Sequence, residues 1–145
     1  MSFDIFLACY RDGENATFPH EIVRRAFAPY ILEIHGGLKV DPEAEVDSQR
    51  WALRFKDGGR CDVYINAEGP IGGFMVNRPP GSPAFWDALI DIMKQTDTVL
   101  FWPDGGAVVA KESVIAHMPP DMIGVMGRPK VTTDMKEIHD FIGMT

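Results

Sequence analysis

The sequence predicts an α+β domain with a mainly antiparallel sheet and helices packed on one face of it. Three observations support this prediction: a length of 145 residues, a hydrophobic share of 46%, and two hairpin patterns joined by glycine-containing turns. The expected element order is β-α-β-β-β-α-β-β-α. Because no linker, repeat or low-complexity segment divides the chain, residues 1–145 are expected to form a single domain.

The first part of the chain predicts a strand followed by a helix. Residues 3–10 mix aromatic and aliphatic side chains and end at the polar turn of residues 11–15, as expected for a buried strand. A helix of about three turns follows. Its apolar face comprises Ile22, Val23, Ala26 and Phe27. Residues 31–40 are then expected to hold a short strand on one side of the Gly36-Gly37 break.

The two hairpins give the clearest signals. Between Arg50 and Asn66, apolar residues alternate on both sides of the turn Asp57-Gly58-Gly59. Residues 71–76 predict a third strand of the same meander, in which Gly72-Gly73 indicates a bulge or a close contact. The second hairpin is predicted from residues 98–110, around a Pro-Asp-Gly-Gly turn.

The longest helix is predicted to begin at Ser82 and Pro83, with Ser82 as its cap. Its apolar face comprises Phe85, Trp86, Leu89, Ile90 and Met93. Residues 112–118 and 121–126 predict a turn or two of helix each, and residues 128–131 predict an extended segment. Thr133 is expected to cap a last helix that stops at Gly143.

The charge balance excludes several classes of partner. The chain has 21 acidic and 14 basic residues, a formal charge of -7, so it gains no general attraction to nucleic acid or anionic lipid. A basic protein is the expected partner, and the oligomeric state stays open. No apolar run approaches the roughly 20 residues of a membrane span. The first residues lack a basic leader and include Asp4, so we expect no signal peptide and a cytoplasmic location.

No pattern predicts a catalytic residue set, a metal site or a cofactor. Cys9 and Cys61 fall at apolar strand positions, which favours buried free thiols over nucleophiles or a disulfide. The four histidines have no metal-ligand spacing, and neither a nucleophile elbow nor a phosphate-binding glycine motif is present. Whether the chain catalyses any reaction stays open.

Two sets of residues are candidates for binding. The acidic segment carries the carboxylates Asp41, Glu43, Glu45 and Asp47, which either bind a cation or a basic protein surface or form a solvated charge run. The alternative is a pocket between sheet and helices. Its candidate residues are His35, Gly72, Gly73, Arg78 and His117. Trp51, Trp86 and Trp102 are in register with other apolar residues, which favours core packing over interface anchors.

The layout of the chain resembles small acidic single-domain bacterial proteins of unassigned function, some of which are immunity proteins of toxin systems. The resemblance rests on the strand Phe3–Tyr10, the hairpin Trp51–Ile65, the SPAFWDAL helix and the VLFWPDGG turn. It implies a non-enzymatic domain whose acidic surface binds a basic protein. The alternatives are a small-molecule-binding protein or enzyme, and a self-associating module.

Overall fold

The strands and helices are described in a computed structural model for residues 3–38, 47–103 and 105–144. The strands are β1 Asp4–Arg11, β2 Glu14–Asn15, β3 Phe18–Pro19, β4 Ile31–Leu38, β5 Ser48–Arg54, β6 Arg60–Asn66, β7 Pro70–Ile71, β8 Gly73–Asn77, β9 Thr98–Phe101, β10 Ala107–Val109 and β11 Lys130–Val131. The helices are α1 His20–Phe27, α2 Pro83–Gln95, α3 Pro120–Met126 and α4 Met135–Ile142, with 3-10 helices at Ala28–Tyr30 and Glu112–His117.

The described strands form a nine-stranded sheet in which β1 lies between β8 and β9. The order across the sheet is β11-β10-β9-β1-β8-β6-β5-β4, with β2 paired to the end of β1. Neighbours are antiparallel except β10 and β11, which are parallel. Strands β3 and β7 form a separate two-stranded sheet. The predicted α+β class and the mainly antiparallel sheet are therefore confirmed.

One face of the sheet, here called the closed face, carries the main core. Along β1 the side chains of Ile5, Leu7 and Cys9 are buried, whereas the residues between them are half-buried. This alternation places the buried set against α1, α2 and α4, which supply Phe27, Phe85 and Ile138 among others to the same cluster. The packing of α1, α2 and α4 on this face, and the burial of all three tryptophans, are as predicted from the sequence.

The opposite face, here called the open face, is covered at only one end. Near β9 and β10, the 3-10 helix Glu112–His117 and α3 pack on it around Val99, Val109 and Val114. On β5, β6 and β8 no described side chain of this face is buried. Antiparallel sheets commonly leave one face in contact with solvent.

Strand β4 is longer than the sequence analysis predicted and is absent from its element order. It runs through Gly36-Gly37 to Leu38 and pairs with β5 along its length. Register shifts occur at two points, and Gly37 adopts φ 72°. An edge strand accommodates such bulges because only one of its sides must maintain a hydrogen-bonded register.

Two helix caps differ from the prediction. Ser82 is the N-cap residue of α2, but its hydroxyl donates to Asp57 Oδ1 at 2.6 Å instead of accepting from helix amides. Thr133 is not the cap of α4: the carboxylate of Asp134 accepts from the Lys136 and Glu137 amides. A carboxylate adds charge complementarity at a helix N-terminus, which a hydroxyl lacks.

The close contact predicted at Gly72-Gly73 is present within the sheet. A Cβ atom on Gly73 would lie 2.0 Å from the backbone oxygen of Leu7, so β1 and β8 approach only because position 73 has no side chain. The carbonyl of Gly72 accepts from the Cys9 amide at 2.8 Å. The glycine pair therefore serves the β1–β8 pairing.

We expect Gly73→Ala to destabilise the protein by about 2 kcal/mol or more, because the clash is with backbone that cannot rotate away. Gly36→Ala is the matched control: it is also a strand glycine, but nothing lies within 4 Å of its Cβ position. Its free energy of unfolding should change by no more than about 0.5 kcal/mol. Urea unfolding of both variants measures the difference, and equal effects would contradict the close-contact interpretation.

The link between Asp57 and Ser82 predicts a pH-dependent stability. The Ser82 hydroxyl, followed by the Gly59 amide, lowers the pKa of Asp57 in the folded protein. A carboxyl whose pKa is lower when folded stabilises the protein above its unfolded pKa, and this contribution disappears as pH falls through the folded value. Asp57→Asn should therefore be less stable than the parent protein near pH 7, with a smaller difference near pH 3.

Asp87→Asn is the control, since this exposed carboxylate has no hydrogen bond among the described residues. Urea midpoints across the acid range give the comparison. If the deficit of Asp57→Asn stayed constant down to pH 3, the carboxylate would not be the stabilising form.

Candidate functional site

The acidic segment falls mainly outside the described residues. Asp41, Glu43 and Glu45 lie in the gap, and only Asp47 is described. Asp47 is exposed, and its backbone carbonyl accepts from the Ala67 amide at 2.8 Å, which connects this point to the end of β6. The four-carboxylate site remains a prediction.

The residues named for the alternative pocket lie in separate places. His35 is on the edge strand β4, where its Nε2 is 2.9 Å from the Glu33 carboxylate. Gly73 begins β8 and Arg78 follows its end, so their backbones are about 17 Å apart at the ordinary rise of a strand. The structure does not bring these three residues together.

His117, Gly72 and Gly73 also do not form a pocket with the other candidate residues. The Nδ1 atom of His117 accepts from the Asp12 amide at 3.2 Å, which fastens the β1–β2 turn to the 3-10 helix. Gly72 and Gly73 are engaged in the β1–β8 pairing. The closed face, where the alternative pocket was expected, is packed with the aromatic and aliphatic side chains of the main core.

A row of six cross-strand partners crosses the open face, here called the open-face row. Strand register places its members side by side in the order His35, Arg50, Tyr64, Met75, Phe6 and Phe101. All six are half-buried or exposed, and the rings of Phe6 and Phe101 stack at 5.4 Å. The row ends at Phe101, because the next partner, Ala107, is buried beneath the short helices.

Five of the six residues of the row are aromatic, Met or Arg. Aromatic residues, Met and Arg are the types enriched in protein interfaces. Arg50 Nε is shielded from solvent and has no hydrogen-bond partner among the described residues. In four of the five strand pairs that form the row, the two strands are distant in the sequence or are separated by a loop. No sequence motif therefore marks the row.

A shallow cleft of about 940 Å³ lies beside the start of α1. The Arg24 guanidinium is 5.7 Å from the centre of the Trp51 ring, and the His20 ring meets Trp51 edge-on at 5.6 Å. His20 Nε2 has no hydrogen-bond partner among the described residues. These contacts cover one side of a tryptophan that is itself fully buried.

A smaller pocket of about 400 Å³ lies on the open face near the β5–β6 turn. It is lined by polar residues that include Arg54, Arg60, Asp62, Asn77 and Arg78. Of these residues, only Arg78 was predicted from the sequence as a pocket residue. The hairpin register could have placed Arg54 opposite Arg60, since both flank the turn at equal distance.

Both thiols are free and buried, as the sequence analysis predicted. Burial raises the pKa of Cys61 to about 12, with a further contribution from Asp62. Burial, with Asp97 nearby, also raises the pKa of Cys9. Because the thiolate is the reactive form, neither residue is suited to act as a nucleophile near neutral pH.

Comparison with family models, with curated proteins and with solved structures gives no match to this chain. Among the described residues, no three His, Cys, Asp or Glu side chains are placed to share a metal ion. None of the described helices has the length and apolar character needed to span a bilayer.

We expect Cys9 and Cys61 to resist alkylation near neutral pH in the folded protein, because each thiol is buried with a raised pKa. Mass spectrometry after iodoacetamide treatment should find both thiols unmodified when folded and both modified in denaturant. Rapid modification of either thiol in the folded protein would contradict this assignment.

Proposed function

We propose that this protein is a non-enzymatic binding domain that recognises another protein through the open face of its sheet. The observation that carries the proposal is the open-face row, in which Tyr64, Met75 and Phe6 form the centre of a continuous surface. These side chains are not needed to close the core, which is built from the alternate positions of the same strands.

The size of the row favours a protein over a small molecule. Six neighbouring strands span about 24 Å, which matches the width of a standard interface of about 800 Å² on each partner. A stacked aromatic pair at one end and Arg50 toward the other supply the residue types that most often dominate binding energy.

The charge of the chain favours a basic partner. With a formal charge of -7, long-range attraction would speed encounter with a basic protein, while contacts on the open face would fix the geometry. An immunity-type role in the cytoplasm fits this pattern: the domain would bind a basic toxin and cover its active site.

A second candidate function, small-molecule binding, is favoured by one observation. The pocket near the β5–β6 turn brings three arginines together beside the carboxylates of Glu33 and Asp62, on a protein that is acidic as a whole. This pocket lies on the open face, not between the sheet and the helices as the sequence predicted.

Site-specific photo-crosslinking in native lysate tests the protein-binding proposal. A benzophenone amino acid is placed at Tyr64 or Met75 on the open face, and at Lys94, an exposed residue of α2 beyond the closed face, as the control. We expect the same basic protein to be crosslinked from positions 64 and 75 and not from position 94. With that protein purified, Tyr64→Ala should weaken binding at least about tenfold.

Gln95→Ala, also on α2, should change the affinity by no more than about twofold. Raised salt should slow association, because charge attraction drives the encounter. Crosslinking from position 94 alone, or to a second copy of this chain alone, would replace the proposal with a helix-face interface or with self-association.

A further inference from the structure

Three arginines without partners meet at the pocket near the β5–β6 turn. Arg54 and Arg60 stand directly opposite each other in the strand register and share the open face with Asp62. Like charges directly opposite each other in a sheet are destabilising. The side chains of Arg54, Arg60 and Arg78 make no ion pair or hydrogen bond to any described residue, although the carboxylates of Glu33 and Asp62 line the same pocket.

Arg78 adds an independent observation, because its backbone is strained. It adopts φ 56°, a left-handed conformation that non-glycine residues rarely take. Asp12 is the one other described non-glycine residue with positive φ, and Asp is among the types that tolerate this conformation. The amide of Arg78 donates to the Phe3 carbonyl at 3.1 Å, which fixes the turn at the end of β8. Such strain is often retained at binding sites.

The pocket pairs this cationic side with groups that accept hydrogen bonds. Asp62 and Asn77 are cross-strand partners on its floor. The Asn77 amide nitrogen donates to Asp4 Oδ1 at 2.7 Å, which leaves the Asn77 side-chain oxygen available as an acceptor. Neither acceptor suits an anionic group, whereas both suit ligand hydroxyls.

From these features we infer that the pocket binds a small phosphorylated polyhydroxy compound, such as a sugar or polyol phosphate. The guanidinium groups of Arg54, Arg60 and Arg78 donate to the phosphate oxygens, and Asp62 with Asn77 accept from hydroxyls. Three guanidiniums provide more donors than the two oxygens of a carboxylate can use, whereas a phosphate monoester has three terminal oxygens. The volume of about 400 Å³ is within the range of small-ligand pockets.

The net charge of -7 does not prevent such binding. Charges more than about 8 Å away are largely screened at physiological salt, so the potential inside the pocket depends on the groups that line it, three arginines against the carboxylates of Glu33 and Asp62. The arginines lie beyond the centre of the open-face row: Arg60 and Tyr64 are about 13 Å apart along β6, with Asp62 between them on the same face. The inference is independent of the protein-binding proposal, and each can fail alone.

The test is an NMR titration of the labelled protein with glycerol 3-phosphate, alongside inorganic phosphate, glycerol and succinate. We expect saturable shifts of the Arg54, Arg60 and Arg78 side-chain signals with glycerol 3-phosphate. Inorganic phosphate should bind more weakly, and glycerol and succinate should give no saturable shift. Arg54→Gln and Arg60→Gln should each weaken glycerol 3-phosphate binding about tenfold.

Arg128→Gln is the matched control, since it removes the same charge near the other edge of the sheet, where Arg128 pairs with Glu112 at 3.0 Å. Its affinity should stay within about twofold of the parent protein. Arg54→Gln and Arg60→Gln should unfold at the same or a higher temperature, because each relieves the like-charge pair; weaker binding then cannot be attributed to unfolding.

Five results would overturn the inference in whole or in part. If glycerol 3-phosphate did not bind saturably, or if Arg128→Gln weakened its binding as much as Arg54→Gln does, the pocket would not be its binding site. If succinate bound as tightly as glycerol 3-phosphate, the ligand class would be carboxylates and not phosphates. Equal binding of inorganic phosphate and glycerol 3-phosphate, or an unchanged ratio between them in Asp62→Ala, would remove the roles of Asp62 and Asn77.

Discussion

Aromatic packing around Phe85 holds the two main helices against the sheet, and the rest of the structure depends on this contact. Phe85 of α2 stacks on Phe27 of α1 at 5.9 Å and meets Phe55 and Trp86 edge-on. The Trp86 indole also donates to the Pro80 carbonyl at 2.7 Å, so this fully buried ring keeps its polar atom hydrogen-bonded. Large aromatic side chains dominate the burial energy of a small core, and here they close one face of the sheet.

Closing one face determines what the other face can do. Strand side chains alternate, so Val63 and Val76 are directed into the core while their neighbours Tyr64 and Met75 face outward. The outward residues are half-buried and lie outside the main core. The short helices near β9 and β10 cover one end of this face and so limit the surface that a partner can reach.

The charges of this protein act over two different distances. The formal charge of -7 acts on approaching molecules over distances of a Debye length or more, whereas the pocket of Arg54, Arg60 and Arg78 acts only on a group that enters it. An acidic domain can therefore attract a basic protein and still hold an anion at one corner of the same face. Sequence composition reports the first property and hides the second.

The sequence by itself determined the local elements. The hairpin Arg50–Asn66 and the helix beginning at Ser82 follow from alternation, turn residues and helical spacing, all of which act within about 20 residues. Only the tertiary structure decided that β1 lies between β8 and β9, or that the Ser82 hydroxyl would bond to Asp57. Strand order depends on contacts between segments that are distant in the sequence, and a local pattern does not predict these contacts. For the same reason the sequence could name Arg78 but could not assemble the open-face row or the arginine pocket.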